Sequence, residues 1–505
     1  RYTQRLLYET PGNDGISIVQ RCRAMALIPA LALGMLVSAW AWRLAGPVAA
    51  MVATTLWAFD PNLLAHGVLA KNDVAIALAY AWMGFAIWSV GKRLTWLSAS
   101  SLCLAIAVAP MIKLSGIAFL PIAAIVLFVR AMMNRPWEVM GRSSLGRPSK
   151  CAAVAGLMLC AALGSYLLLW ACYGFRFNAG PGELRLDTDR IEAVLRDDQI
   201  AAAKTVAWRP DLPLRILDFT RQHHLLPEAW IAGCLFTRLS PYIRSSYLLG
   251  TIYLGGKWYY FPLAFLFKEP LATLAALALA AIVALAAARR GRLKNNFHAQ
   301  WAVICLALPA GIYAAAALTA TLNLGIRYLF PIYPLIFIGV GWVVADLCKN
   351  SRPARAIVMA LTIGHIAETA AAYPNFIPFF NIACGRYRGG ISLLADSNLD
   401  WGQDLPLLAQ WQKNHPRAKL YLIYIGLCDP SAYHINATRL WSGADLQPYP
   451  RFPNTGGYVA IGATPLATSQ PGSFAYQFRD QTPEVILGGS IYLFRFDEPI
   501  PADSH

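Results

Sequence analysis

Charge is scarce in this chain and lopsided in sign. Only 14% of its 505 residues are charged, and 27 acidic side chains face 43 basic ones, a formal +16. A nucleic-acid binder with that balance would gather its Lys and Arg on one face. Here they fall between apolar runs, which argues against nucleic acid as a partner. Ten cysteines are present, but no CxxC pair and no metal-ligand spacing. Most lie in or beside apolar runs and read as small core residues. Only Cys384 and Cys428 share the long C-terminal stretch, where a disulfide is the open alternative. Internal repeats and low-complexity segments are lacking too. The opening Arg1–Arg23 does not have the basic-then-apolar order of a secretory leader. A start at Arg1 without Met sets the expectation that further sequence, with at least one more crossing, lies upstream.

Apolar sequence is abundant: 57% of residues are hydrophobic and the mean hydropathy is +0.45. Ten runs stand out, near 25–43, 46–60, 74–90, 97–112, 115–130, 151–172, 270–288, 300–319, 329–347 and 355–372. Most approach the ~20 residues that cross ~30 Å of hydrocarbon as a helix. The fold class expected is therefore a polytopic α-helical membrane protein of about ten membrane helices. The basic residues collect in alternate connections, at Arg43, Lys92 with Arg93, Arg130 to Lys150, Arg289 to Lys294 and Lys349 to Arg355. The positive-inside tendency assigns these to the cytoplasm. Residues 1–23, 61–73, 173–268, 320–328 and everything after 373 then lie outside, and the net charge adds attraction to anionic lipid headgroups.

Two outer segments exceed the ~4–6 residues of an ordinary connection. Residues 173–268 read as a large external loop, with a charged helical pattern over Thr188 to Lys204 and the aromatic run GGKWYYFPLAFLFKEP returning to the membrane as an interfacial helix. From Tyr373 the long apolar runs give way to KLYLIYIG, GGYVAIG and SIYLFRF, with a helical piece over Asp404 to Lys413. This predicts a soluble α/β domain over 373–505, after a membrane domain over 25–372 and a trailing piece of an external loop over 1–24.

Polar residues at the ends of crossing helices are costly without partners and are functional candidates by default. On the outer side these are Asp60, Asn62, His66, Lys71, Asn72, Asp73, Lys113, Lys257, Lys268, Glu269, Asn323 and Arg327. In FDPNLLAHGVLAKNDVA, Asp60 reads as a helix cap and Asp73 as a carboxylate able to orient a lysine or hydroxyl. His66 has no companion at metal spacing. Arg327, in LGIRYLFPIYP, suits a phosphate through paired hydrogen bonds, against the alternative of snorkelling to headgroups. Lys113 and Lys268 occupy equivalent boundaries: three cations in one pocket fit a phosphate-bearing headgroup, whereas apart they are anchors. The string DSNLDWGQDL supplies Asp396, Asn398, Asp400, Trp401, Gln403 and Asp404, either as a surface for sugar or acceptor or as a strand-to-helix turn. Asn436-Ala437-Thr438 matches a glycosylation sequon, a triplet common by chance.

Taken in order, FDPNLLAHGVLAKNDVA, YYFP followed by KEP, LGIRYLFPIYP and DSNLDWGQDL resemble the phospholipid-carrier-dependent glycosyltransferases related to protein O-mannosyltransferases, family 39 of the membrane-embedded C-type superfamily. The likeness runs over essentially the whole chain. It implies transfer of a sugar from a polyprenyl-phosphate donor to an acceptor protein, lipid or glycan, with inversion, by a bacterial inner-membrane enzyme whose C-terminal domain is periplasmic. The resemblance matches Arg327 to an arginine near the carrier phosphate and Asp73 to a polar residue lining the pocket, a supporting role; the residues themselves add Lys268 and Lys113 as candidates for donor phosphate and His66, Tyr259, Tyr260, Tyr328, Asp400 and Trp401 as candidates for sugar or acceptor. The family's catalytic acid belongs to an Asp-Glu pair expected upstream of Arg1, and neither Glu9 nor Asp14 stands in such a pair. No cofactor is required, since Lys and Arg can neutralise a phosphate, and a divalent metal is optional. Two rivals are a flippase or transporter of lipid-linked sugar, which calls for midplane polar residues and paired broken helices, and a non-catalytic binder.

Overall fold

A computed structural model describes residues 5–142, 146–180, 212–291, 296–349, 351–426, 428–442 and 455–497. Each apolar run forms a helix: α1 (Gly15–Ala45), α2 (Pro47–Ala58), α3 (Pro61–Gly67), α4 (Asp73–Lys92), α5 (Trp96–Ile112), α6 (Phe119–Met132), α7 (Arg147–Cys172), α8 (Leu212–Gln222), α9 (Glu228–Ile243), α10 (Tyr260–Lys268), α11 (Leu271–Arg289), α12 (Phe297–Leu318), α13 (Tyr333–Cys348) and α14 (Arg352–Ala370). Among the described residues seven spans are long and apolar enough to cross a membrane, or eight if α2 and α3, bent by 63°, count as one. The two runs that miss this test do so for plain reasons. α5 has 17 residues, and α14 carries Arg352, Arg355, His365 and Glu368.

Helix starts follow local capping chemistry. Asp14, Asp60, Thr95, Asn296 and Ser351 each accept a backbone N–H of the first turn through the side chain, which satisfies donors that a helix start leaves open. α4 and α13 are the most enclosed spans, with 72% of each apolar window buried, and the others surround them. Small residues permit close approach. A Cβ at Gly91 would fall 2.1 Å from the Trp301 ring, and that indole donates to Trp88 O at 2.9 Å. Two of the basic connections meet at one end of the bundle, where Arg130 donates to Gly91 O (2.7 Å) and Trp137 to Val90 O (2.8 Å).

The opposite end carries the C-terminal α/β domain. A short hairpin comes first, β1 (Ser246–Leu248) with β2 (Thr251–Tyr253), and it bridges at Leu248 to Leu394. After it, β3 (Leu420–Tyr424), β4 (Thr438–Ser442), β5 (Gly457–Gly462), β6 (Val485–Leu487) and β7 (Ile491–Phe496) form one sheet in the order β4-β3-β5-β7-β6. β3 pairs in parallel with β4 and β5, and β7 runs antiparallel to β5 and β6. Helix α15 (Leu405–Asn414) covers one face through Leu405, Leu408 and Trp411. Cys384 and Cys428 are both free, which corrects the disulfide alternative. Cys428 instead accepts a hydrogen bond from Tyr8 Oη at 3.2 Å. The helical pattern at Thr188 to Lys204 lies outside the described residues.

Candidate functional site

Three chain segments meet where α4 begins. Asn72 donates its amide to Ile112 O at 2.8 Å, which pins the start of α4 against the end of α5. Asp73 and Lys113 are thereby brought together, with Lys113 Nζ 2.6 Å from Asp73 Oδ1. The turn Ile326–Ile332, leading into α13, presents Arg327, whose guanidinium lies 3.3 Å from Asp73 Oδ2. The C-terminal domain holds the other side of Arg327. Arg327 Nε donates to Ser397 Oγ at 3.0 Å, and that hydroxyl donates to Leu324 O at 2.6 Å. Gly325 makes this docking feasible: its φ is +149° and a Cβ there would sit 2.2 Å from Ser397 Oγ. Arg327 is therefore not snorkelling; it is 11% exposed and fixed on two sides.

Lys71 completes the cluster. Its Nζ lies 3.0 Å from the centre of the Trp401 ring, and the Arg327 guanidinium is 5.3 Å from the same ring. Lys113 and Arg327 also lie over Tyr328, at 4.8 and 4.7 Å. The Lys71 ammonium is held below its ordinary pKa by desolvation first and by Arg327 second, an effect moderated by its exposed flank. One carboxylate, Asp73, thus stands among three cations. A further acid, Asp396, lies 3.8 Å from Arg244 and also acts on Lys71 and Arg327, so four cations there face two carboxylates. Uncompensated positive charge of this kind favours an anion, and a guanidinium and ammoniums at a half-dry boundary suit phosphate oxygens. His66 is buried edge-on between Phe330 (5.3 Å) and Trp401 (5.6 Å) and packs the floor.

Lys268 is a correction. It does not join Lys113 and Arg327 but is 1% exposed, donating to Ile377 O at 2.8 Å and Asn398 O at 2.9 Å. Its charged neighbours are Asp60 and Glu269, both fully buried. Glu269 accepts from Tyr333 Oη and from Asn62 Nδ2 (3.2 Å), and Asp60 caps α3 through Leu63 N at 2.7 Å. Burial pushes Lys268 down to about 7 and raises the Glu269 carboxyl well above its usual range, with Asp60 adding to the latter. Tyr260 and Asp400 are likewise not open to a sugar. Tyr260 Oη accepts from Asn398 Nδ2 at 3.2 Å, and Asp400 accepts from Thr464 N at 2.7 Å, each at least 96% buried. Tyr259 leads into α10 with its ring edge-on to Trp258 at 5.6 Å, apart from the cluster. Asn323 ties the β2 loop by accepting from Tyr253 Oη and Lys257 N. Sequence reasoning missed Arg244 and Ser397, since neither stands out from its local string. Among the described residues no group of three or more His, Cys, Asp or Glu could hold a metal ion.

Fold and site together describe a multi-pass membrane protein whose C-terminal α/β domain packs over a cationic cluster at one end of the bundle. No protein-family model and no curated protein matches the chain. Two crystal structures of the Archaeoglobus fulgidus oligosaccharyltransferase are similar to it. One is tethered with an acceptor peptide containing the NVT sequon via a disulfide bond (11% identity, TM-score 0.40, 85% of this chain and 55% of that one). The other is the apo form (13% identity, TM-score 0.35, 86% and 54%). The chain thus spans about half the length of those structures.

Proposed function

We propose that this protein is a membrane-embedded glycosyltransferase that moves a sugar from a polyprenyl-phosphate donor to a hydroxyl-bearing acceptor, with inversion, at the membrane face covered by the C-terminal domain. That face is expected to be the periplasmic side of a bacterial inner membrane. The observation that carries the reading is the cluster of Lys71, Lys113 and Arg327 around Asp73. Its strings are also those that resemble family 39.

In the reaction the bond from sugar C1 to the phosphate oxygen breaks as the acceptor oxygen bonds to C1 and gives up its proton. The departing lipid phosphate gains charge, and cations fixed beforehand stabilise it at little reorganisation cost. Asp73 is committed to two of those cations, so its work is to hold them in place. Glu9, facing Arg5 at 3.8 Å, and Asp14, capping α1, both lie in the opening stretch and neither stands in an Asp-Glu pair. No residue of this chain is assigned the base's role. Trp401 offers a sugar no free face on the side where Lys71 sits.

The test is turnover of radiolabelled polyprenyl-phosphate sugars by the protein in liposomes, with a panel of protein, lipid and glycan acceptors. Arg327→Ala is expected to lower turnover roughly 10²–10³-fold while the protein remains folded, as a melting curve checks. Normal turnover by that variant would remove Arg327 from the site. Donor binding without turnover by the parent protein would leave a binder in place of an enzyme.

A further inference from the structure

A pocket lies on the flank of this end, where α14 gives way to the stretch after Tyr373. It is a cavity of about 120 Å³ whose wall includes Glu368, Tyr373, Phe379, Arg386 and Tyr387, well above the ~10–15 Å³ of such space that one water needs. It is separate from the cationic cluster, and the Phe380 ring, 4.7 Å from Lys268 Nζ, stands between it and the buried joint. We infer that this pocket binds the headgroup of an ethanolamine phospholipid, with its phosphate on Arg386 and its ammonium on Glu368.

The residues carry two opposite charges that do not neutralise each other directly. Glu368 spends hydrogen bonds on backbone groups, accepting from Leu271 N at 2.9 Å and Ile382 N at 3.0 Å, and no cation pairs with it among the described residues. Those bonds fix the carboxylate in position without cancelling its charge. Arg386 likewise has no ion-pair partner among the described residues, and it follows Gly385 in a left-handed backbone, at φ +56° after +71°. A non-glycine residue held there carries a cost on the order of 1 kcal/mol, a cost that clusters at ligand-binding sites. An anion alone would meet Glu368, and a cation alone would meet Arg386. A zwitterion meets neither repulsion. Tyr373, 74% exposed, adds a ring face of the kind that sits at headgroup level and attracts ammonium.

The ligand is a lipid because apolar surface leads to the pocket. Ile357, 52% exposed, lies on α14 about three turns before Glu368 and on the same face, and Leu271 and Ile382, whose N–H groups bond Glu368, are 39% and 57% exposed beside the opening. Acyl chains require such a strip, and a free headgroup does not.

Native mass spectrometry of the delipidated protein, titrated separately with ethanolamine, choline and glycerol phospholipids and with O-phosphoethanolamine, tests this. Ethanolamine lipid is expected to be retained best, because a choline headgroup cannot donate to Glu368 and a glycerol headgroup brings no positive charge. Arg386→Ala, on the exposed rim, is expected to lower that retention roughly tenfold through loss of a charged hydrogen bond. Glu368→Gln is expected to shift the preference toward the glycerol lipid, with a melting curve confirming that the variant is folded. Equal retention of the three lipids, or an Arg386→Ala protein that retains ethanolamine lipid like the parent, overturns the inference. Binding of O-phosphoethanolamine as tightly as the whole lipid overturns the assignment to a lipid.

Discussion

Two clusters of charge occupy the same end of the bundle, and adjacent residues of the C-terminal domain touch both. Ser397 holds Arg327 in one, and the carbonyl of Asn398 accepts from Lys268 in the other. Their balances are opposite. Around Asp73, three cations surround one carboxylate, with Lys113 19% and Arg327 11% exposed. Around Lys268, two carboxyl groups share one lysine, all at most 1% exposed. Buried charge is tolerated when every polar atom has a partner. In the Lys268 cluster Asp60 Oδ2 and Glu269 Oε2 are both buried without one, and desolvation with Asp60 alongside raises the Glu269 carboxyl, which favours a proton on this pair. The Lys268 cluster is thus complete once it holds a proton, whereas the Asp73 cluster still has charge to spend on a ligand. Polar density alone does not distinguish a site from a joint, but the sign of the surplus and access to solvent do.

The most damaging way to sharpen this contrast is Lys268→Met. The change strands the carbonyls of Ile377 and Asn398 and leaves the carboxyl pair without its cation. Removing one member of a buried charged set costs roughly 3–5 kcal/mol, so a large drop in melting temperature in detergent is expected, and donor KM in the surviving folded fraction is expected to stay put. A variant that melts like the parent but has lost donor binding would return Lys268 to the phosphate site.

From sequence, Lys113 and Lys268 look alike, each a lysine at the end of an apolar run. What separates them is long-range: the acceptors of Lys268 come 109 and 130 residues later in the chain, beyond the reach of any local pattern. Arg327 and Asp73 were legible because a charge at the mouth of an apolar helix is costly wherever it occurs. Asp60 was legible as a cap from Asp-Pro-Asn, since capping is a local event. The helices and the three main strands follow from periodicity, but the mixed order β4-β3-β5-β7-β6 does not. The platform that Trp401 makes for Lys71 was hidden for the same reason as the Lys268 joint.

A smaller effect tests whether burial without a cation also shapes the C-terminal domain. Desolvation raises Asp400 to about 7 and Asp404 to about 6, with Thr464 and Ser490 donating to them. The folded chain therefore holds protons that the unfolded chain has released above ~4. The stability these groups lend is full below that pH and is lost as pH rises through about 6 to about 7. Asp400→Asn keeps an acceptor for Thr464 N and does not titrate. It is expected to flatten the dependence of melting temperature on pH between about 4 and 7, and to exceed the parent above that window by on the order of 2 kcal/mol. Superimposable curves for the two proteins would rule out Asp400 as a titrating group there.

Trp401→Ala is expected to have the smallest effect, and it bears directly on what the cationic cluster does. The indole face is taken by Lys71 at 3.0 Å, with Arg327 at 5.3 Å, so the ring steadies two cations that would otherwise swing apart. A cation over an aromatic face is worth roughly 0.5–2 kcal/mol, so donor KM is expected to rise about fivefold with kcat nearly unchanged. Trp401→Phe, which keeps a weaker ring quadrupole, is expected to fall between. The choice of sugar decides the interpretation. If the indole steadies phosphate-binding cations, the rise in KM is the same for every sugar carried on one polyprenyl phosphate, because the group affected is common to all of them. If the ring stacks on the sugar, the rise varies with the pattern of axial and equatorial hydroxyls, and Trp401 belongs to the sugar's site and not to the cation cluster around Asp73.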